Sequence, residues 1–441
     1  MCKTGLFWFN NDLRVHDNPA LLEASLNCDR LICLFCYDTF WDKPTGFNAN
    51  PLGDKRRQFL LESLNDLQHT LGARGQQLIV MKGDPVAIIS ELLSKYHVNH
   101  VYRSYHVGVY ENRQWQHLRA DFPRVQFDSY WTHSLFQQQQ LPFELTSLPD
   151  TFSQFRKIVE SLPIDKPVQM PKTLAVPVSE LHEDTLPLPT YRNSQDHFTG
   201  GEKAAIEHME AYFSSDYPAQ YKLLRNDLDH WSHSTKFSAW LANGALSVKR
   251  LLQQLRQFEK THTANESTYW IFFELLWREY FQWYAFRYRH KLFRPQGLGK
   301  KKITCCFYPE RYQKWAHGNT PYPLVNALMK QLNETGYMSN RGRQIVASCF
   351  INELELDWRF GAAYFEQQLI DYDVAANWGN WQYIAGVGAD PRGGRHFNIE
   401  KQQRQYDPQQ TFIQKWKGQV TAPRLDSVDA ADWPIMPYKR D

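Results

Sequence analysis

The stretch DYDVAANWGNWQYIAGVGADPRGGRHFN, residues Asp371–Asn398, carries more information about this chain than any other segment. Its first half combines carboxylates, an amide and aromatic rings, at Asp371, Asp373, Asn377, Trp378, Trp381 and Tyr383. Its second half is rich in glycine and ends the predicted helix. Such a helix offers carboxylates and an amide to a polar heterocycle, with aromatic rings beside them. The alternative is an ordinary core helix whose polar residues only form caps.

The chain has 441 residues, which is enough for more than one hydrophobic core. The formal net charge of +3 is mildly basic and does not by itself indicate a nucleic-acid partner. The seven cysteines are odd in number and lack the spacing of a zinc site, so we expect reduced thiols and no metal. There is no signal-peptide pattern and no apolar run of membrane length, so we expect a cytoplasmic protein without membrane contact.

Residues 1–135 alternate between strand-like and helix-like patterns. The apolar runs that indicate strands are Thr4–Phe9, Leu31–Tyr37, Gln77–Met81, His100–Tyr105 and Val125–Tyr130. This alternation predicts an α/β domain with a doubly wound parallel sheet. The turn after the first strand has no GxGxxG motif, so the usual cradle for dinucleotide phosphates is missing.

Residues 136–198 are predicted to be a connector, because eight of the chain's 23 prolines fall between Leu141 and Thr190. Repeated prolines exclude long helices and central strands, and we expect at most one short helix near Phe152–Ser161. From Gly201 onward, apolar residues recur at three- and four-residue spacings. We therefore predict an all-α domain over residues 199–425 and a short tail over residues 426–441.

Four more blocks follow one another in a recognisable order. They are FNNDLRVHDNP at Phe9–Pro19, ELLWREYF at Glu274–Phe281, GYMSNRGRQ at Gly336–Gln344 and ELDWR at Glu355–Arg359. With the opening stretch they resemble the photolyase/cryptochrome family, and most of all its cryptochrome-DASH branch, over nearly the whole chain. The resemblance implies FAD in the helical domain and light-driven repair of cyclobutane pyrimidine dimers, preferentially in single-stranded or looped DNA, by electron transfer from excited reduced FAD.

By this resemblance, the FAD contacts come from a loop, two helices and the opening stretch. They are Tyr221, Ser234, Thr235, Lys236, Phe237, Ser238, Arg278, Asn340, Arg343, Asp371, Asp373 and Asn377. From the residues alone, hydroxyls and backbone amides at a helix start bind anions, although most such runs are only caps. An Arg343 pair with Asp371 or Asp373 would be costly when buried unless it is fully hydrogen-bonded or performs a task. The alternative for these residues is helix capping and a structural salt bridge.

The resemblance also implies an electron-transfer chain whose two inner members are Trp381 and Trp358. Taken alone, a buried tryptophan usually only packs. The expected outermost tryptophan is replaced by Cys305. Candidates for a substitute are Trp315, Tyr308 and Tyr312, among which the sequence does not choose.

The lesion pocket implied by the resemblance combines a catalytic set with a DNA-binding set. The catalytic set is Glu274, Trp277, Asn340, Asn377 and Tyr383, and the DNA-binding set is Arg225, Trp277, Arg341, Gln344, Tyr383, Arg392 and Arg395. A flipped dimer needs an apolar face and polar groups for its base edges. Gln344 and Tyr383 stand where relatives that repair duplex DNA have Met and Trp. They make the pocket wall more polar, which predicts a preference for single strands.

Basic residues interleaved with aromatic ones suit phosphate tracking and base stacking, although a solvated surface is the alternative. They are Arg287, Arg289, Lys291, Arg294, Lys300, Lys301 and Lys302 in one run and Arg392, Arg395, Lys401 and Arg404 in another. Glu111 matches a contact of the folate antenna, methenyltetrahydrofolate, in relatives. The adjacent Tyr110 stands where some relatives have Asn.

Two other functions are compatible with parts of this pattern. The first is a blue-light photoreceptor that signals through a protein or nucleic-acid partner. Only about 43 residues follow Asn398, which favours the enzyme, because sensory cryptochromes use a long tail. The second is a helical nucleic-acid-binding protein without flavin, which leaves the carboxylates of the opening stretch unexplained. We expect a monomer that binds single-stranded DNA, with RNA as a second candidate ligand.

Overall fold

The computed structural model describes residues 3–47, 49–178, 181, 187–188, 198–299, 305–389 and 393–419. Several sequence predictions fall outside these residues. They concern Lys300, Lys301, Lys302, Arg392 and the tail over residues 426–441.

The first part of the chain folds around a parallel sheet. Its strands are β1 (Thr4–Phe9), β2 (Arg30–Asp38), β3 (Leu78–Gly83), β4 (His100–Ser104) and β5 (Gln126–Tyr130), in the order β3-β2-β1-β4-β5. A two-residue strand, β6 (Val176–Pro177), pairs with the start of β2. The helices between the strands are α1 (Pro19–Asn27), α2 (Asp54–Gly72), α3 (Pro85–Lys95) and α4 (Val109–Asp121). The predicted doubly wound sheet is confirmed.

Both faces of the sheet are buried, because helices cover each of them. Along β1, Phe7 and Phe9 face the core beneath α1 and α2, whereas Leu6 and Trp8 face the core beneath α3 and α4. This is the period of two that a strand imposes on its side chains. It explains why the strands read as continuous apolar runs instead of alternating ones.

The rest of the described chain is mainly helical, as predicted. The connector contains α5 (Phe152–Val159), within the range expected for its one short helix. The later helices are α6 (Glu202–Phe213), α7 (Tyr217–Leu224), α8 (Ser238–Ala242), α9 (Val248–Thr261), α10 (Glu266–Tyr288), α11 (Pro309–Ala316), α12 (Pro323–Thr335), α13 (Asn340–Ser348), α14 (Trp358–Gln368), α15 (Val374–Ala385), α16 (Ile399–Tyr406) and α17 (Thr411–Lys415). None of the helices in the described ranges has both the length and the hydrophobicity needed to cross a membrane.

Helix α10 runs through the middle of the helical domain. It begins at a capping box, in which the Asn265 side chain accepts from the backbone of Thr268 and the Thr268 hydroxyl accepts from the Asn265 N–H. Buried residues occur on every side of it, and it contacts α5, α7, α9 and α15. A helix that is apolar all round is a core helix. Its polar residues are therefore exceptions that need a partner.

A buried arginine joins the sheet to the helical domain. Arg14 lies just after β1, and its guanidinium donates to the carbonyls of Thr132 at 2.8 Å and Gly244 at 2.8 Å. Gly244 has a φ of 74°, and a Cβ there would overlap the carbonyl oxygen of Asn11. Only glycine therefore permits this close approach of the two backbones.

The neighbouring Glu202, at the start of α6, forms the second half of the junction. Its carboxylate accepts from the backbone N–H of Val15 at 2.7 Å, from that of His16 at 3.1 Å and from the His16 ring at 2.6 Å. A buried carboxylate that satisfies two backbone donors leaves both unpaired when it is removed.

We predict that Glu202→Gln lowers the free energy of unfolding by about 1–3 kcal/mol, because an amide presents its own donors to the backbone N–H groups of Val15 and His16. The measurement is urea denaturation followed by circular dichroism. Glu207→Gln, an exposed change on the same helix, is the control and should have little effect. Equal stability of the two variants would contradict this view of the junction.

Candidate functional site

A cavity of about 100 Å³ lies between α13, α14 and α15. Seven residues predicted for the site line it: Asn340, Arg343, Gln344, Asp371, Asp373, Asn377 and Trp381. They come from two separate sequence blocks, so their convergence is a tertiary effect. We call this space the inner cavity.

An ion pair closes one wall of the inner cavity. The Arg343 guanidinium lies 2.8 Å from Asp371 Oδ2, and its Nε donates to the Met338 carbonyl at 2.8 Å. The Asp371 side chain is only 2% exposed, yet its Oδ1 has no hydrogen-bond partner among the described atoms. A buried acceptor left unpaired is costly. The inner cavity therefore contains an acceptor suited to an N–H or O–H group of a ligand.

Asp373 does not share this pairing, which settles the choice between the two aspartates. Its Oδ1 caps α15 by accepting from the Ala376 N–H at 2.8 Å, and its Oδ2 accepts from Gln282 at 2.7 Å. Gln282 is buried on α10, and sequence reasoning missed it. The available sequence signal was a glutamine between the aromatic residues Phe281 and Trp283. The Asn377 amide donates to the Ala362 carbonyl at 2.9 Å, which fixes its orientation.

The predicted loop Ser234–Ser238 is outside the lining of the inner cavity but lies close to it. Lys236 Nζ is 4.9 Å from the centre of the Tyr337 ring, and the Arg343 guanidinium is 5.3 Å from the same ring. Lys236 also donates to Ser234 Oγ at 2.9 Å and has a left-handed φ of 55°. The loop thus places a cation next to the wall that Arg343 forms.

Two other predicted FAD contacts are absent from the described lining of this cavity. Tyr221 is buried on α7, and burial raises the pKa of its phenol. The Arg278 guanidinium donates to the carbonyls of His133 and Leu241. Leu241 belongs to α8, the helix that follows the loop, so Arg278 braces that helix from behind.

A second group of predicted residues forms an aromatic and basic surface. Trp277 stacks on Phe152 with ring centres 3.7 Å apart, and its edge meets the Tyr383 ring at 5.9 Å. Arg395 donates to the Tyr383 hydroxyl. The structure brings these groups together although they lie far apart in the chain.

Charged side chains complete this surface. Arg225 forms an ion pair with Glu274, and its guanidinium lies 4.5 Å from the centre of the Trp270 ring. Burial raises the pKa of the Glu274 carboxyl, although Arg225 opposes that shift. Arg341 lies 5.1 Å from the Tyr406 ring centre. Cations, rings and a carboxyl of raised pKa suit a nucleic-acid ligand with polar base edges.

Of the two tryptophans predicted for electron transfer, Trp358 is the first residue of α14 and Trp381 packs against that helix. A Cβ on Gly361 would overlap the Trp381 indole, and Trp358 lies three residues earlier on that helix. Trp315, a candidate substitute for the outermost tryptophan, has its ring centre 6.3 Å from that of Trp381. Cys305 is partly buried at the position expected for the outermost tryptophan.

A larger cavity of about 380 Å³ lies at the carboxyl edge of the sheet. Residues after β1 and β4, among them Asn11 and His106, line it together with residues of α14 and α15. A doubly wound sheet binds ligands at the carboxyl ends of its strands where the strand order reverses. The predicted folate contact Glu111 lies here, and we call this space the outer cavity.

Sequence reasoning did not assign Tyr372 or Glu366 to any site. It noted Trp378 but did not place that residue in the outer cavity, which all three side chains line. The Trp378 indole N–H points at Glu366 Oε2 at 3.3 Å and at the Tyr372 hydroxyl at 3.2 Å. Burial raises the pKa of Glu366 to about 7. The neighbouring Arg56, Tyr372 and Trp378 side chains oppose this shift. Tyr372 also lines the inner cavity, so one ring separates the two spaces.

Comparison with known proteins relates both halves of the chain to one family. Residues 5–172 match the family model described as DNA photolyase, and residues 270–433 match the FAD binding domain of DNA photolyase. The Cryptochrome DASH of Idiomarina loihiensis is 52% identical, with 98% of this chain and 97% of that protein covered. That of Xenopus laevis is 39% identical, with 96% and 83% covered.

Solved structures agree with this relationship. A cryptochrome of Synechocystis sp. PCC6803 superposes with a TM-score of 0.88 at 37% identity, covering 94% of this chain and 88% of that one. An archaeal photolyase from Sulfolobus tokodaii with two FAD molecules superposes with a TM-score of 0.74 at 26% identity, covering 94% and 90%.

We predict that the pKa of Glu366 makes stability fall as pH rises. Its folded pKa of about 7 exceeds the usual value of 4.5, so the folded state binds the extra proton between these values. Unfolding is therefore favoured progressively from about pH 4.5 to pH 7, by about 1–3 kcal/mol, since the side chain opens onto the cavity and is partly screened.

The measurement is the urea midpoint of ligand-free protein at pH 5 and pH 8. Glu366→Gln should reduce the difference between the two values, whereas the exposed control Glu334→Gln should leave it unchanged. An unaltered pH difference in Glu366→Gln would show that this carboxyl is not the titrating group.

Proposed function

Since this chain belongs to the photolyase and cryptochrome family, among the cryptochromes DASH, we propose that it repairs cyclobutane pyrimidine dimers in single-stranded or looped DNA by light-driven electron transfer. The observation that carries this proposal is the Arg343–Asp371 pair, in which a buried carboxylate oxygen has no hydrogen-bond partner among the described atoms. We further propose a cytoplasmic monomer, with RNA as a secondary ligand.

The inner cavity has the donors and acceptors that a flavin requires. A flavin presents imide and hydroxyl groups, and Asp371 Oδ1 is a buried acceptor without a partner. Arg343, Asp373 and Asn377 would hold the ring system, with Asn377 facing the nitrogen that is protonated on reduction. When bound and reduced, FAD supplies an electron donor that blue light excites.

The remaining predicted contacts would hold the other end of the cofactor. The loop Ser234–Ser238 would bind the pyrophosphate through hydroxyl and backbone donors, with Lys236 as the nearby cation. Tyr221 and Asn340 would add contacts. Arg278 would keep α8 in place behind the loop.

The aromatic surface would receive the flipped dimer. Trp277 would provide a stacking face, and Arg225, Arg341 and Arg395 would bind phosphates. Glu274, whose pKa is raised by burial, would donate a hydrogen bond to a base carbonyl when protonated. The bound cofactor would supply one electron to the dimer, the two inter-base carbon–carbon bonds would break, and the electron would return, so no net oxidation would occur.

Extraction from a duplex costs a few kcal/mol, and less from a single strand. Gln344 lines the inner cavity, and the Tyr383 hydroxyl accepts from Arg395. Both side chains place polar atoms in the proposed lesion pocket. A flipped base therefore buries less apolar surface against them than against the Met and Trp of relatives that repair duplex DNA. Binding of the base in this pocket therefore offsets less of the free-energy cost of extracting it from a duplex.

The outer cavity would bind a light-harvesting antenna, and we propose methenyltetrahydrofolate held by Glu111. Tyr372 and Trp378 supply aromatic faces, and Arg56 supplies a cation. The archaeal photolyase contains two FAD molecules, so a second flavin is the alternative occupant. Mass spectrometry of the released chromophores distinguishes the two.

A blue-light photoreceptor remains the second candidate function. It uses the same FAD and the same inner cavity, so the cofactor residues do not distinguish it from the enzyme. The aromatic and basic surface favours the enzyme, because a photoreceptor needs no site for a flipped base.

We predict that Asp371→Asn weakens FAD binding about tenfold to a hundredfold, because Arg343 loses its ion pair at a cost of about 1–3 kcal/mol. The measurement is titration of apo-protein with FAD, followed by flavin fluorescence. Asp407→Asn alters a capping carboxylate outside both cavities and is the control for stability effects. Unchanged affinity in Asp371→Asn would show that the flavin lies elsewhere.

We predict that Gln344→Met combined with Tyr383→Trp lowers the ratio of the repair rate on single-stranded DNA to the repair rate on duplex DNA. The larger apolar wall should recover part of the cost of extracting the base. The measurement is the ratio of repair rates on one dimer in both contexts, with the exposed substitution Gln313→Met as control. A ratio equal to that of the unmutated protein would exclude these two positions as its cause.

A further inference from the structure

The electron-transfer chain lacks its expected outer tryptophan, so another side chain must refill Trp358. Within the described ranges, Trp358 is in ring contact with Trp378, whose centre lies 5.8 Å away with the two planes at 76°. Trp378 is buried on α15 and lines the outer cavity. An indole in ring contact with Trp358 is a suitable next electron donor, because both side chains are of the same kind.

A phenol and a carboxyl follow Trp378. Its indole N–H lies 3.2 Å from the Tyr372 hydroxyl and 3.3 Å from Glu366 Oε2, so the indole nitrogen brings the phenol and the carboxyl together. Tyr372 follows Asp371 directly, so the same turn of backbone carries a flavin contact and this phenol. The three side chains form one connected group that opens onto the outer cavity.

Oxidation of a phenol near neutral pH requires a base for its proton. Glu366 is such a base, because burial raises its pKa to about 7 and it exchanges protons at that pH. The charged and titratable groups around it are Arg56, Tyr372, Glu111 and Tyr110. Arg56 lies 4.4 Å from the centre of the Tyr372 ring.

We propose that Trp378, Tyr372 and Glu366 form the outer end of the electron-transfer chain. With FAD bound and photoexcited, Trp381 would supply one electron and would be refilled by Trp358, which Trp378 would refill in turn. Tyr372 then gives one electron to Trp378, its O–H bond breaks, and the proton passes to the Glu366 carboxylate. A thiol from solution returns a hydrogen atom to Tyr372 and becomes a thiyl radical, and Glu366 releases its proton. This proposal rests on the proposed binding of FAD in the inner cavity.

A rival branch leads from Trp381 to Trp315 and Tyr364. Their ring centres are separated by 6.3 Å and 5.5 Å in turn, so the contacts are as close as those around Trp378. The Tyr364 hydroxyl, however, hydrogen-bonds to Asn333 Oδ1 at 2.6 Å and to the Ala316 carbonyl at 3.0 Å. Both acceptors are neutral amide oxygens that do not take up a proton near pH 7, so this branch has no place for the phenolic proton.

The test is flash excitation of protein loaded with FAD and free of antenna, followed by transient absorption and electron paramagnetic resonance. The unmutated protein should yield a neutral tyrosyl radical. Tyr372→Phe should abolish that radical and leave tryptophan radicals. The matched control Tyr364→Phe should retain it.

Glu366→Gln keeps the phenol but removes the base, and it covers the case in which Tyr372→Phe fails to bind FAD. The tyrosyl radical should then be lost or form slowly, and the solvent deuterium isotope effect on its formation should change. Trp378→Phe should also abolish the tyrosyl radical.

Three results would overturn the inference. They are a tyrosyl radical that persists in Tyr372→Phe, its loss in Tyr364→Phe, or only tryptophan radicals in the unmutated protein. Failure of the proposed function would look different, because the unmutated protein would then bind no flavin or would form no radical pair on illumination.

Discussion

One buried carboxylate, Asp371, determines how the candidate site is arranged. It lies where the chain turns from α14 into α15, and its ion pair with Arg343 ties that turn to α13. A carboxylate that is 2% exposed is stable as an ion only when it is paired. Because its second oxygen has no protein partner among the described atoms, the pair both holds the helices together and leaves an acceptor for a ligand. The polar inner cavity and the proposed flavin site both depend on this arrangement.

The two cavities are adjacent because the same short segment contributes to both. Asp371 and Trp381 face the inner cavity, Trp378 faces the outer one, and Tyr372 borders each. Asp371 and Tyr372 precede α15, whereas Trp378 and Trp381 lie three residues apart on one face of that helix, so this face borders both cavities. A light-harvesting group in the outer cavity would therefore lie one ring away from a flavin in the inner cavity. The proposed outer end of the electron-transfer chain also depends on this arrangement, because Tyr372 borders both cavities.

The sequence predicted the sheet, because continuous apolar runs such as Leu31–Tyr37 have few other stable arrangements. It also predicted that Arg343 pairs with an aspartate, but only the structure shows that Asp373 is occupied by Gln282 and by its cap on α15. Sequence reasoning did not find Glu366. A glutamate in a helix is ordinary until tertiary packing buries it beside Tyr372, and no local pattern carries that information.

The direct test of this account is single-turnover repair by the unmutated, fully reduced protein. A single-stranded oligonucleotide with one cyclobutane dimer is mixed with excess protein and given brief blue flashes, and a parallel sample is kept dark. The account predicts that intact pyrimidines appear only after flashes and that the flavin remains reduced afterwards. Bound dimers that stay unbroken after repeated flashes would contradict it, and the photoreceptor would then be the better explanation of the same cavity.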